Sequence, residues 1–155
     1  MIRALAQIKE KLMPYIRMWV HLIWSTKNRE KTISKKLKPL LLNHIRDNAK
    51  LKNIFLDQIN CVGDHCHALI SLGASQAISK IALLIKGESS HWVNDSQLIA
   101  GKFEWQDEYI AISVSESAVN KVRNYIKNQE KHHGQKTFKE EYDLFIKKYG
   151  FKYMG

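Results

Sequence analysis

Cysteine is scarce, with only Cys61 and Cys66 in 155 residues, too few for a disulfide framework. Five positions apart on what reads as one stretch of strand, the two would point to opposite faces. The expectation is therefore two reduced, semi-apolar side chains and a cytoplasmic setting. Long apolar runs are missing too. The stretch from Met1 to Pro14 is broken by Arg3, Lys9, Glu10 and Lys11, unlike a signal peptide, and no later segment approaches a membrane span. Repeats, low-complexity tracts and long linkers are absent, which leaves one domain spanning 1–155, with a leader over 1–13, a core over 14–134 and a tail over 135–155. Acidic residues are few, 15 Asp and Glu against 25 Lys and Arg, for a net charge of +10.

What remains is a globular composition, 45% apolar with mixed charges, on a chain long enough for one real core. A strong positive charge on so small a body favours polyanionic partners, because each phosphate contact releases condensed counterions. Solubility alone is the plain alternative. The distribution argues for a directed field: thirteen basic residues precede Asn53, opposed there only by Glu10, Glu30 and Asp47.

The hydropathy pattern predicts an α+β fold. Tyr15 to Thr26 alternates as a strand, and a basic loop from Lys27 to Lys31 follows. Ser34 looks like the cap of a helix to about Leu51 with Leu37, Leu40, Leu41, Ile45 and Ala49 on its buried side. Two strands, about Ile54 to Val62 and His65 to Leu72, meet at Gly63-Asp64, a suitable hairpin turn. A second helix covers about Ser75 to Asn94, where Gly87 costs about 1 kcal/mol against Ala. A strand at Tyr109 to Ser113 precedes a third helix, running from a Ser115/Ser117 cap to His133, and Thr137 to Tyr149 forms one more amphipathic helix. This order predicts an antiparallel, ferredoxin/RRM-like sheet with helices on one face and a C-terminal helix carrying Tyr125.

Two features carry candidate chemistry. In His65-Cys66-His67, strand alternation points both imidazoles the same way, half of a metal site, with Cys66 directed elsewhere. Two partly exposed histidines with nothing bound would show the same pattern. Tyr125 and Gln129, four apart in a helix, stack on one face at the border of the stripe Val119, Val122 and Ile126. A core-edge tyrosine with its hydroxyl in water is the equivalent plain reading.

Together the two features resemble a known family. Asp64-His65-Cys66-His67-Ala68-Leu69-Ile70 is similar to the His-hydrophobe-His motif of the HUH nucleases. Tyr125-Ile126-Lys127-Asn128-Gln129 resembles the single-tyrosine motif of the small HUH transposases of bacterial insertion sequences (the IS 200/605 type). Trp24-Ser25-Thr26-Lys27-Asn28-Arg29, Leu84 to Ser90, and Phe103 to Tyr109 leading into Ser113-Val114-Ser115 fit in the same order. The likeness spans about Tyr15 to Gly150 and departs at Cys66, where a bulky aliphatic residue is usual.

The resemblance implies a transposase that cuts and rejoins single-stranded DNA bearing hairpins at the element ends. It further implies a homodimer whose active site is completed in trans by the partner's tyrosine helix. Tyr125 would be the nucleophile, and His65, His67 and Gln129 would hold Mg²⁺ or Mn²⁺. Neutral ligands would leave the ion its full charge for the scissile phosphate, and open positions would make it a Lewis acid and template. Imidazole donors match Mn²⁺ better than Mg²⁺. A tyrosine phenol has an ordinary pKa of about 10, so it must lose its proton at or before attack. The product would be a 5′-phosphotyrosine and a free 3′-hydroxyl, a bond that stores the energy for rejoining. Lys27, Arg29, Lys31, Lys35, Lys36 and Lys38 could grip phosphates, with Trp24 or Trp105 as stacking surfaces. Competing readings are a non-catalytic or domesticated binder of nucleic-acid hairpins, and a structural zinc protein using Cys61, His65, His67 and one of His132 or His133.

Overall fold

A computed structural model describes residues 14–133 and 136–150, with the side chains of His132 and His133 outside the description. The expected leader over 1–13 and the His132 or His133 zinc ligand therefore lie outside the described residues.

Four strands, β1 (Trp19–Thr26), β2 (Phe55–Val62), β3 (His65–Ser71) and β4 (Trp105–Val114), form one sheet in the order β2-β3-β1-β4. All neighbours are antiparallel. Between β1 and β2 lies α1 (Leu37–Leu51), and between β3 and β4 lies α2 (Ile78–Asp95). This is the predicted ferredoxin-like arrangement. β1 begins four residues later than its alternation suggested, and β4 four residues earlier. α1 starts where the Ser34 hydroxyl accepts from the Leu37 amide at 3.1 Å, close to its expected cap.

α1 and α2 cover one face of the sheet. Leu41, Ile45, Ile81, Ala82 and Ile85 pack there against Leu22, Trp24, Cys66, Ala68 and Ile70. The opposite face carries His21, Ile23, Ser25, His65, His67 and Leu69, the residues that alternate with that set along β1 and β3. It is covered by α3 (Val119–Lys127) and α5 (Phe138–Tyr149), with α4 (Gln129–His133) between them in sequence. Val119 and Ile126 meet Trp19 and Leu69, and Phe138 meets Ile23, Ile110 and Ile112. Burial on both faces explains why β1 and β3 are mainly apolar, with His21, Ser25 and Thr26 the polar members of β1 and His65, His67 and Ser71 those of β3.

The cysteines correct the sequence reading. Cys61 on β2 is the direct cross-strand partner of Cys66 on β3, and a disulfide joins them. The Gly63-Asp64 turn folds the chain back between them, so hairpin partners share a face where residues of one continuous strand would not. Gly63, at φ 57, has the left-handed backbone that such a turn needs. The bridge lies in the core shared with α1 and α2, behind the histidines.

The predicted third helix is also divided. Residues Glu116–Ala118 form a 3-10 turn, α3 ends at Lys127, and Asn128 (φ −98, ψ 20) separates it from α4. Tyr125 and Gln129 thus belong to different helices, and the simple one-face spacing does not apply to them.

Candidate active site

The site grows from the β1–β3 ladder. Ser25 pairs with His65, Ile23 with His67 and His21 with Leu69, so the three histidines share one face in two adjacent strands. His65 and His67 are fully buried. Each has its Nδ1 engaged: His65 Nδ1 lies 2.8 Å from Asp64 Oδ1, and His67 Nδ1 lies 2.9 Å from His21 Nε2. The backbone of Asp64 is itself clamped, because its carbonyl accepts from the Thr26 amide at 2.7 Å and the Thr26 hydroxyl at 3.1 Å. With both Nδ1 atoms held, both Nε2 atoms face the helices above.

What they face is Glu141, from the middle of α5. Its Oε2 lies 3.4 Å from His65 Nε2 and its Oε1 3.5 Å from His67 Nε2. The Tyr125 hydroxyl donates to Oε1 of the same carboxylate. The Tyr125 ring stands edge-on to His67 with centroids 5.7 Å apart, and to His21 at 6.2 Å. α5 is set in place by a capping box between Thr137 and Glu140 and by Phe138, which stacks on His65 at 4.4 Å. Phe145 meets the edge of His21 at 6.2 Å.

The electrostatics follow from burial and pairing. Burial, reinforced by His67, pushes His21 down to about 3 despite the nearby Glu141, so it is neutral. Burial alone would depress His65 as well, but the bonds to Asp64 and Glu141 outweigh it and raise its pKa. Burial would raise Glu141, yet the two imidazoles outweigh it and hold the carboxyl down at about 2.

α3 is anchored to its own sheet. Arg123 makes a two-pronged contact with Asp57 on β2, Nε to Oδ2 at 2.7 Å and Nη2 to Oδ1 at 2.9 Å. Asn60, the cross-strand partner of His67, donates to the Ile126 carbonyl at 3.0 Å and accepts from the Cys61 amide at 3.0 Å. Together these fix the last turn of α3, which carries Tyr125. A family model described as "Transposase IS200 like" matches residues 15–129.

The chain belongs to the IS200-like transposase family. A curated relative, the ISDra2 transposase TnpA of Deinococcus radiodurans, is 29% identical over 114 residues, covering 70% of this chain and 81% of the relative. A crystal structure of a candidate transposase from Deinococcus radiodurans superposes with a TM-score of 0.61 at 25% identity, covering 76% of this chain and 95% of that one. The structure of a REP-associated tyrosine transposase bound to a REP hairpin shares the fold, with a TM-score of 0.59, 15% identity and coverage of 79% and 72%. The match to the family ends at Gln129, so α5 and Glu141 lie beyond it in this transposase.

His65, His67 and Tyr125 come together within one chain, where the resemblance implied a tyrosine helix from a partner. Gln129 is 1% exposed and its Nε2 has no hydrogen-bond partner among the described residues, a buried amide of the kind a ligand would satisfy. His65, His67 and Glu141 offer three donor atoms within 4.8 Å of one another. Two imidazoles and a carboxylate fit a divalent ion, and Glu141 would bring a negative charge that an all-neutral set lacks. Sequence reasoning missed Glu141 because nothing local marks it on an ordinary amphipathic helix. His21 was findable, since the alternation that aligned His65 with His67 also places it on their face.

The remaining expectations divide. Lys27, Arg29, Lys31, Lys35 and Lys36 are exposed, while Lys38 is half-buried and paired with Glu130. Trp105 is a core residue, which corrects its reading as a stacking surface. Its ring nitrogen donates to Ser89 Oγ at 2.9 Å and its faces meet Phe103 and Trp24 edge-on at 4.7 and 5.9 Å. Trp24 is buried alongside it. Among the described residues, no helix is long and apolar enough to cross a membrane.

Proposed function

We propose that this transposase cuts and rejoins single-stranded DNA through a covalent bond between Tyr125 and a 5′-phosphate, beside a divalent ion held by His65 and His67. The observation that carries this is the convergence of the Tyr125 hydroxyl and both Nε2 atoms on one carboxylate. Gln129 and Glu141 are the further ligands. Bound there, Mn²⁺ or Mg²⁺ would polarise the scissile phosphate and offset its charge.

The chain's own residues supply the rest. Tyr125 Oη gives up its proton to water and attacks phosphorus, the new Oη–P bond forms as P–O3′ breaks, and the departing 3′-oxygen takes up a proton from water to leave as a 3′-hydroxyl. Reversal by the same or another 3′-hydroxyl rejoins DNA and frees the phenol. A carboxyl held near 2 is a poor acceptor for a phenol proton of ordinary pKa about 10, so Glu141 aims the hydroxyl. Asp64 and His21 keep the imidazoles turned toward the site. Lys27, Arg29, Lys31, Lys35 and Lys36 guide the strand electrostatically.

The resemblance implies a dimer exchanging tyrosine helices. Within one chain Tyr125 lies against His67, and such an exchange would have to remake the Arg123–Asp57 and Asn60–Ile126 contacts with the partner.

The test uses labelled single strands tiling the DNA beside the gene, incubated with Mn²⁺ and resolved under denaturing conditions. A protein–DNA adduct that vanishes in Tyr125→Phe and in His67→Ala supports the reading. Tight binding of hairpin strands with no adduct would favour a non-catalytic or domesticated hairpin binder.

A further inference from the structure

Beside the histidines, on the same face of the sheet, a cavity of about 470 Å³ opens between β1, β4 and α5. Its lining includes Asn28, Arg29, Gln106, Glu108, Phe138 and Tyr142. Three separate features of the chain build it. The β1–β4 register shifts between Trp24↔Tyr109 and Thr26↔Trp105, so two extra β4 residues bulge out opposite Ser25, the cross-strand partner of His65. Bulges of this kind re-aim side chains at sheet edges and beside active sites. Gln106 and Glu108, two apart on that bulge, both line the cavity.

The second feature is the turn after β1. Asn28 and Arg29 both have left-handed backbones, at φ 55 and 54. Two consecutive non-glycine residues in this region hold conformational strain, which persists where the surroundings impose it. The turn is held by the Asn28 amide, which donates to Gln106 Oε1 at 3.2 Å. The Asn28 carboxamide and Gln106 Nε2 make no hydrogen bond among the described residues.

The third feature is aromatic. The Arg29 guanidinium lies 5.2 Å from the Phe138 ring centre and 5.5 Å from that of Tyr142. Phe138 also stacks on His65, so cavity and candidate active site share a wall.

We propose that this cavity takes one unpaired nucleobase of the DNA strand, from a nucleotide flanking the scissile phosphate. Amides, a carboxylate and a guanidinium match the donor and acceptor edges of a base. The aromatic and guanidinium planes match its faces. A hairpin tail supplies such a base without the cost of unpairing it. The cavity would make cleavage depend on the identity of one base. This inference rests on the DNA-cutting reading above and names a subsite of it.

The experiment measures binding rather than chemistry, so the two readings can fail separately. Tyr125→Phe protein is titrated with the best-binding fluorescent strand from the flanking DNA, and with copies carrying an abasic site at each unpaired position in turn. One abasic position should weaken binding on the order of tenfold, the loss expected for one stacked base. Adding Asn28→Gly with Gln106→Ala, which relieves the strained turn while deleting both amides, should abolish that discrimination while leaving the melting temperature within a few degrees. Glu108→Gln serves as a second variant if the first unfolds. Uniform binding across all abasic strands, or discrimination retained in both variants, would overturn the subsite even if wild-type protein forms the Tyr125 adduct. Position-specific discrimination without any adduct would keep the subsite and sink the cleavage reading.

Discussion

His21 Nε2 stands 2.9 Å from His67 Nδ1, so one imidazole of the pair is oriented by another imidazole while its neighbour His65 is oriented by the carboxylate of Asp64. A carboxylate strengthens the basicity of the ring it holds; a neutral imidazole only fixes its direction. Replacing either partner should cost about 10- to 100-fold in metal affinity. His21→Ala and Asp64→Ala, titrated calorimetrically with Mn²⁺, should both weaken binding, with Asp64→Ala also removing a charge. Unchanged affinity in both would mean that His65 and His67 do not bind metal through Nε2.

Glu141 should behave as part of the same donor set. Its carboxylate oxygens lie 3.4 and 3.5 Å from the two Nε2 atoms, within reach of one shared ion. Glu141→Gln should reduce Mn²⁺ affinity on the order of tenfold or more, given the preference of Mn²⁺ for carboxylate oxygen. If Gln129→Ala weakens binding and Glu141→Gln does not, the ligand set is the one the family resemblance implied.

The same His21 governs acid stability in metal-free protein. Its folded pKa, about 3, lies below the ordinary 6.5, so between these values the unfolded chain binds more protons than the folded one. Stability therefore falls as pH drops from 6.5 toward 3. Glu141, lowered from 4.5 to about 2, removes further stability only below 4.5. His65, whose pKa is raised, contributes stability below 6.5 that is lost as pH rises through its folded value, so it does not mask the acid limb. Between pH 6.5 and 4.5, His21 should account for about 2 to 3 kcal/mol. Urea midpoints across that range, in the presence of EDTA, should change less steeply for His21→Gln than for wild type. Identical slopes would mean that His21 takes up its proton while folded.

Much of this arrangement was legible because strand alternation is strictly local. His65 and His67 two apart, the Gly63-Asp64 turn and the order of elements all follow from period and punctuation. The misread features depend on which strands become neighbours. Cys61 and Cys66 look mispositioned until the hairpin sets them opposite one another. Trp105 looks like a surface aromatic until β4 carries it into the α2 face. The break at Asn128 and the approach of Glu141 arise from packing across the sheet, and no pattern within the helices announces either.

Asn60 offers a test of how Tyr125 is positioned. Its side chain is nearly buried and joins the Ile126 carbonyl to the β2 backbone. Asn60→Ala leaves a buried carbonyl and a buried amide without that partner, at a cost of about 1 to 3 kcal/mol. The melting temperature should fall, and at saturating DNA the adduct should form more slowly while strand affinity changes little. An equal loss of affinity would place Asn60 in DNA binding instead.

Whether one chain or two complete the site can be decided by mixing. Tyr125→Phe protein keeps the imidazoles and lacks the nucleophile; His65→Ala/His67→Ala protein keeps the nucleophile and lacks the imidazoles. Neither should form an adduct alone. Because Tyr125 lies against its own His67 and α3 is tied to its own β2 through Asp57 and Asn60, the mixture should stay inactive. Restored adduct on the double-histidine variant would require α3 to reach a second chain's imidazoles. Loosening the anchor with Asp57→Ala in both partners sharpens the comparison. If the helix can exchange at all, that change should raise the yield of the mixture while lowering the yield of an otherwise intact protein. If the mixture stays inactive while the yield of the otherwise intact protein falls, the cut is made by a single chain with its own tyrosine.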